Sequence, residues 1–193
     1  MQPPSPLPRY NTVAISLHWV IALLILVDFA LAISFSQFNP GDALYFRSAY
    51  DLHMTVGACI LLLVVGRVAW RLLHRPPALP DIGIVLRWLA RASHLLLYVF
   101  MVTAPLTGWL ILSVRRRPTS VFGIFNWSWP FPVIATMPRP ERVIWHDFLL
   151  PLHIQLSYVG MSLVALHVVA AIYHHVWRHD EVLRRMLAGR SGI

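Results

Sequence analysis

From Leu149 to Trp177 the chain carries no Asp, Glu, Lys or Arg. That stretch is longer than the roughly 20 apolar residues with which a helix crosses the hydrocarbon of a bilayer. A backbone in lipid must satisfy its own hydrogen bonds, so a lone run of this kind folds as a helix. Three further apolar runs, at about Val13–Phe35, Leu52–Trp70 and Ala92–Val114, are interrupted only by Asp28 and Arg67. The expectation is an all-α, integral membrane four-helix bundle formed as one domain over residues 1–193.

Composition agrees with a membrane protein. The chain is 58% hydrophobic and 12% charged, whereas an ordinary soluble domain carries about 25% charged residues. Cys59 is the sole cysteine, which excludes an intrachain disulfide and an iron–sulfur cluster. Walker, Rossmann and zinc-hydrolase patterns are absent, and no aromatic–basic motif suggests nucleic acid. The sixteen basic residues are all arginine, and they bear on topology. With a cytoplasmic N-terminus, ten of them fall on that side (Arg9, Arg67, Arg71, Arg75, Arg87, Arg91, Arg178, Arg184, Arg185, Arg190). Six fall on the other (Arg47, Arg115, Arg116, Arg117, Arg139, Arg142). The positive-inside rule then predicts N-in, C-in.

The first two connections, "SQFNPGDALYFRSAYD" and "RLLHRPPALPDIGIVLRWLAR", read as compact loops. The third, Arg115–Asp147, mixes arginines with Trp127, Trp129, Phe131 and Trp145, as a segment at headgroup level would, and is placed to cap one mouth of the bundle. A competing pattern, the small residues "ALA" at Ala30–Ala32 after an apolar stretch, resembles a secretory cleavage site. Its single preceding charge and the interruption by Asp28 argue against it, and cleavage would discard His18.

Ionisable groups deep in a bilayer tend to mark ion paths, proton relays or cofactor sites. His153 and His167 lie fourteen residues apart, about 3.9 turns, so they share one face to within about 40° and differ in depth by about 21 Å. On the N-in topology His18 lies at the level of His167, in the cytoplasmic leaflet, and His53 lies at the level of His153. Two transverse pairs result, His18/His167 and His53/His153. A structural zinc site prefers four close protein ligands, often with thiolate or carboxylate. A haem brings four nitrogens and asks for one or two axial ligands, and a helix bundle offers the apolar slot. Two haems stacked across the membrane, each closed by two imidazoles, are suited to electron transfer. The bland alternative is hydrogen bonding between helices, and a haem-free metal or proton transporter also fits a histidine-lined core.

Arg67 stands fourteen residues after His53, at the depth of the cytoplasmic pair, where haem propionates need a cation. An arginine snorkelling from a helix end fits equally. His94, three residues into the third run, lies level with His18 and competes with it as ligand, or serves a quinone or a supporting contact. His74, His146, His174, His175 and His179 fall near the interfaces, where solvated roles are expected. Asp28 is left between a proton relay and pairing with a polar neighbour.

The ordered set "SLHWV", "DLHMTVG", "SHLLLYVFMVTAPLTGWL" and "ALHVVAAIYHHVWRHDEVLRRML" resembles the bacterial cytochrome b-561 family from about Tyr10 to Leu187. That family is related to the cytochrome b subunits of nickel–iron hydrogenase and formate dehydrogenase. The resemblance implies two b-type haems on His18, His53, His153 and His167, consistent with the lack of CxxCH. It also implies location in a bacterial inner membrane, in contact with lipid, and exchange of single electrons with ubiquinone. One type in the family is a superoxide oxidase that reduces quinone, whereas dehydrogenase-linked relatives take electrons from a partner protein and often carry a further helix. Four spans favour the stand-alone type, with a membrane anchor of a larger dehydrogenase as the alternative.

Overall fold

The structure is a computed structural model that describes residues 10–36, 43–74, 77, 83–116, 119–121, 125–127, 134, 136–180 and 182–187. Four long helices dominate: α1 (Thr12–Ser36), α2 (Ala43–Leu73), α3 (Ile84–Val114) and α4 (Arg139–Val176). All four are long and apolar enough to cross a membrane. Large apolar side chains on every helix face outward, with Leu23 62%, Leu62 58%, Leu95 64% and Leu166 65% exposed. In water that surface would be unstable; in a bilayer it is the lipid-facing side.

The helices extend beyond the apolar runs. Residues 43–51, 84–91 and 139–148, read as parts of loops, are the opening turns of α2, α3 and α4. A charged residue ends a hydropathic run without ending a helix, because headgroups and water solvate the side chain while the backbone ladder continues. Pro140 falls in the first turn of α4, where its missing N–H is no loss. In the third connection a short antiparallel hairpin interrupts the otherwise helical fold. Its strands β1 (Thr119–Val121) and β2 (Phe125–Trp127) pair Thr119 with Trp127 and Val121 with Phe125, and the backbone of β1 lies close to α2. Trp145 on α4 is 46% exposed; Trp129 and Phe131 lie outside the described residues.

Antiparallel succession brings the start of α1 and the end of α4 to one end of the bundle, the termini end, opposite the β-hairpin end. Asn11 Oδ1 caps α1 by accepting from Ala14 N at 2.8 Å, and it accepts from Trp70 Nε1 at 3.1 Å, which ties α1 to the end of α2. Trp19 Nε1 donates to Met186 O at 2.7 Å, holding the single 3₁₀ turn at Arg184–Met186 against α1.

Packing is uneven in a way that shapes the interior. Backbones approach closely between α1 and α2, between α3 and α4, and less extensively between α2 and α3; α4 keeps more distance from α1 and α2. Ile21, Val56, Ile60 and Val64 form the core of the α1–α2 side, and Ile111, Val114 and Leu149 that of the α3–α4 side. The close α3–α4 contact requires glycine. A Cβ on Gly160 would overlap the ring of Phe100, and one on Gly108 would stand 3.2 Å from His153 Cε1. Gly160→Val is expected to destabilise the bundle by about 1–3 kcal/mol through overpacking. Gly66→Ala, which has nothing within 4 Å of its added methyl, is expected to raise stability by up to about 1 kcal/mol, because alanine loses less backbone entropy in a helix. Thermal unfolding in detergent measures both, and equal midpoints would show that the α3–α4 contact does not depend on Gly160.

Candidate cofactor site

The wider gaps that α4 leaves to α1 and α2 are spanned by imidazoles. At the termini end, His18 of α1 and His167 of α4 have ring centroids 6.2 Å apart at 71°. At the β-hairpin end, His53 of α2 and His153 of α4 repeat the separation, 6.2 Å at 75°. The four residues paired by depth in the sequence are thus brought together two by two, along one face of α4.

In the pair at the β-hairpin end the Nδ1 atoms are already committed. His153 Nδ1–H donates to Ala104 O at 3.0 Å and lies 3.0 Å from Thr107 Oγ1, whose hydroxyl itself donates to Ala104 O at 2.8 Å. His53 Nδ1–H donates to the backbone carbonyl of Asp28 at 3.3 Å and lies 2.9 Å from Asp28 Oδ1. The N–H is aligned on the carbonyl, so the carboxylate contact is an ion-pair distance rather than a second aligned hydrogen bond. Acceptors around Nδ1 select the tautomer whose Nε2 carries the lone pair, which is how a histidine is prepared for a metal. A cavity of about 330 Å³ opens beside this pair, walled by Phe29, Met54, Trp109 and Tyr158. Its size and apolar lining are those of a small-molecule pocket.

At the termini end the surroundings are cationic. Arg67 Nε donates to Tyr98 Oη at 3.0 Å, and the guanidinium groups of Arg67 and Arg71 lie 5.9 and 5.7 Å from the Tyr98 ring centroid. The charge of Arg67 reaches His18, His94 and His167. Arg67 therefore stands beside the expected pair, but with a phenol partner that the sequence reading missed. Tyr98 follows His94 by four residues on α3, the spacing of neighbours on one helix face, and that signal was available. His94 donates from Nδ1 to Ala90 O at 2.6 Å, and its ring lies 5.4 Å from that of His167.

The interior fits haem better than a bare ion. Among the described residues no group of three or more His, Cys, Asp or Glu is arranged to hold a metal, while a porphyrin asks for only two axial ligands. An imidazole nitrogen binds a metal at about 2.0–2.1 Å. With about 1.1 Å more to each ring centre, two rings on opposite sides of one ion stand about 6.3 Å apart. The His18/His167 and His53/His153 pairs, each at 6.2 Å, meet that value, and the His94/His167 contact, at 5.4 Å, falls short of it.

A second cavity, of about 220 Å³, lies at the β-hairpin end among Arg115, Arg139, Arg142 and His146. Arg142 Nη1 donates to Val114 O at 3.2 Å, but Arg142 Nε and His146 Nε2 are buried without a hydrogen-bond partner. Three guanidinium groups around one cavity make a setting for an anion. Three of the histidines expected to be solvated have partners. His74 stacks on Trp70 at 3.8 Å, His146 Nδ1 lies 3.1 Å from Asp147 Oδ1, and His174 Nδ1 pairs with Asp180 Oδ2.

Comparison with known proteins matches residues 9–189 to the family model of prokaryotic cytochrome b561. The chain is 33% identical over 184 residues to cytochrome b561 homolog 2 of Escherichia coli (strain K12), covering 95% of this chain and 93% of that one. It is 26% identical over 187 residues to a protein named probable superoxide oxidase CybB of Yersinia pestis, covering 95% and 98%. Cytochrome b561 homolog 1 of Escherichia coli (strain K12) is 25% identical over 186 residues, covering 95% and 99%. With its four spanning helices and paired interior histidines, the chain belongs to the prokaryotic cytochrome b561 family, as a multi-pass membrane electron-transfer protein that binds haem b.

Proposed function

We propose that residues 1–193 form a single diheme cytochrome domain that carries single electrons across a bacterial inner membrane, between the periplasmic face and the ubiquinone pool. The observation that carries this reading is the repeated 6.2 Å imidazole spacing at two levels. His53 and His153 would hold an outer haem, and His18 and His167 an inner one. When bound there, the haems would supply reversible one-electron chemistry at iron held by imidazole. The chain's own part is to hold His53 and His153 by Nδ1, to exclude water beside them with Phe29, Met54, Trp109 and Tyr158, and to set the charge at each level. Arg67, whose charge reaches His18 and His167, would serve the inner haem's propionates.

The N-in, C-in orientation follows from ten arginines against six and puts the cavity of Arg115, Arg139 and Arg142 on the periplasmic side. An anionic donor suits that face. Superoxide is such an anion, and the similarity to a protein named as a probable superoxide oxidase supports it as donor with ubiquinone as acceptor.

The test is haem content. Protein purified from cells with haem available is expected to hold two haems b per chain, with reduced α bands and low-spin ferric signals from both. A single haem per chain, or a spectrum without Soret and α bands, would overturn the diheme reading.

A further inference from the structure

Asp28 is the one acidic residue inside the four apolar runs. A carboxylate at the bilayer centre costs roughly 2.5–3.5 kcal/mol on insertion scales, so a chain that keeps one has a use for it or a partner that offsets it. Asp28 meets His53: its Oδ1 lies 2.9 Å from Nδ1, and its backbone carbonyl accepts from the same nitrogen. Oδ1 is buried and has no aligned hydrogen-bond donor, so the carboxylate has not spent its hydrogen-bonding capacity on another group. One turn after His53, α2 carries Gly57, and a Cβ there would stand 4.0 Å from Asp28 Oδ2.

The other three imidazoles are treated differently. His153 is held by the neutral Thr107 hydroxyl and the Ala104 carbonyl. His18 and His167 lie in the field of Arg67. Along the bundle axis, one imidazole pair therefore has a carboxylate in contact with it, and the other lies in the field of a guanidinium.

We propose that Asp28 is a positioning residue for His53 that lowers the reduction potential of the outer haem relative to the inner one, and so directs electrons from the β-hairpin end to the termini end. The proposal rests on His53 being an axial ligand. The Asp28 backbone carbonyl accepts from Nδ1–H and orients the ring, and the carboxylate 2.9 Å away makes Nε2 a stronger donor through its charge, which favours ferric over ferrous iron. Its negative charge also opposes the arrival of an electron nearby. At the other level the charge of Arg67 favours the reduced form. Both effects have the same sign for transfer, because an electron moves spontaneously from the lower potential to the higher.

The experiment is a redox titration of the haem-loaded Asp28→Asn protein with the two haems resolved, together with their low-spin ferric signals. The outer haem is expected to become easier to reduce by at least tenfold in its ferrous-to-ferric ratio, about 59 mV for one electron, with a shifted low-spin signal and no change at the inner haem. Asp28→Glu is expected to return most of the shift. Two haems with both potentials unchanged, or an equal shift in both, would overturn the proposal. Should Asp28→Asn shed the outer haem, Asp28→Ser carries the same measurement. Loss from both neutral variants with retention in Asp28→Glu supports the carboxylate as the group that holds His53, and loss from Asp28→Glu as well overturns it. Failure of the ligand reading gives a different result, because His53→Ala would then keep two low-spin haems.

Discussion

Replacing His153 by Ala is expected to halve the haem content, from two per chain to one, and leave the remaining haem with an unaltered low-spin spectrum. His53→Ala should give the same product, whereas His18→Ala and His167→Ala should each keep the outer haem and lose the inner. The expectation of independent loss follows from the placement of the rings. The pairs lie about 21 Å apart along α4 by helix rise and share no helix but α4. Losing one axial imidazole removes half of the protein's hold on the iron, a far larger change than loss of a supporting contact, which costs about 10–100-fold in metal affinity. His94→Ala is the deciding control. Its ring lies closer to His167 than two rings on opposite sides of a metal would, so the variant should keep both haems. If His18→Ala kept two low-spin haems while His94→Ala lost one, the inner ligand pair would be His94 and His167.

Arg115, Arg116 and Arg117, changed together to Gln, are expected to slow reduction of the protein by superoxide about tenfold at low salt, a typical size for the loss of electrostatic steering. The sign follows from the charges: cations at the periplasmic mouth raise the local concentration of an arriving anion. Raising the salt to about 1 M, where the screening length falls to about 3 Å, should slow the parent protein and bring the two rates together. Stopped-flow growth of the α band measures both. Reduction by quinol should be unaffected by either change. Superoxide failing to reduce protein that quinol reduces normally would reject superoxide as donor and leave a quinone-linked electron carrier.

Helix count and level were legible in the sequence because lipid simplifies the problem. Apolar length and a fixed rise of about 1.5 Å per residue convert position into depth. That conversion is how His18 and His167, near opposite ends of the chain, could be matched. Helix ends were not legible. Charges at Arg87, Arg139 and Asp147 mark where hydrocarbon stops, while the backbone ladder continues into the headgroup layer. The three-residue strands around residues 119–127 are too short to show an alternation. Asp28, left between a proton relay and pairing with a polar neighbour, is instructive because the structure pairs it with His53. Ten residues after His18 on the same helix, it lies about 15 Å further across, within two turns of the level of His53 and His153. Depth arithmetic alone would have placed it near the outer pair; whether it turned toward lipid or toward His53 depended on the rotation of α1, which its nearly uniform apolar surface does not reveal. The steric need for Gly160 was likewise hidden, since it arises from the approach of Phe100 on a different helix.

Because α4 contributes a histidine to both pairs, under the proposed ligand set neither cofactor position is complete until α4 has been made. At roughly 5–20 residues per second, the ribosome takes about 5–20 seconds to travel from the end of α2 to the end of α4. During that interval His18 and His53 stand in the membrane on a hairpin whose buried residues, Ile21, Val56, Ile60 and Val64, all belong to α1 and α2. Under the proposed ligand set, haem is captured after synthesis, by closure of α4 and its tightly packed neighbour α3 over a waiting α1–α2 half. A chain interrupted before residue 153 would hold two half-sites and no complete one, so the order of the helices couples cofactor retention to completion of the chain.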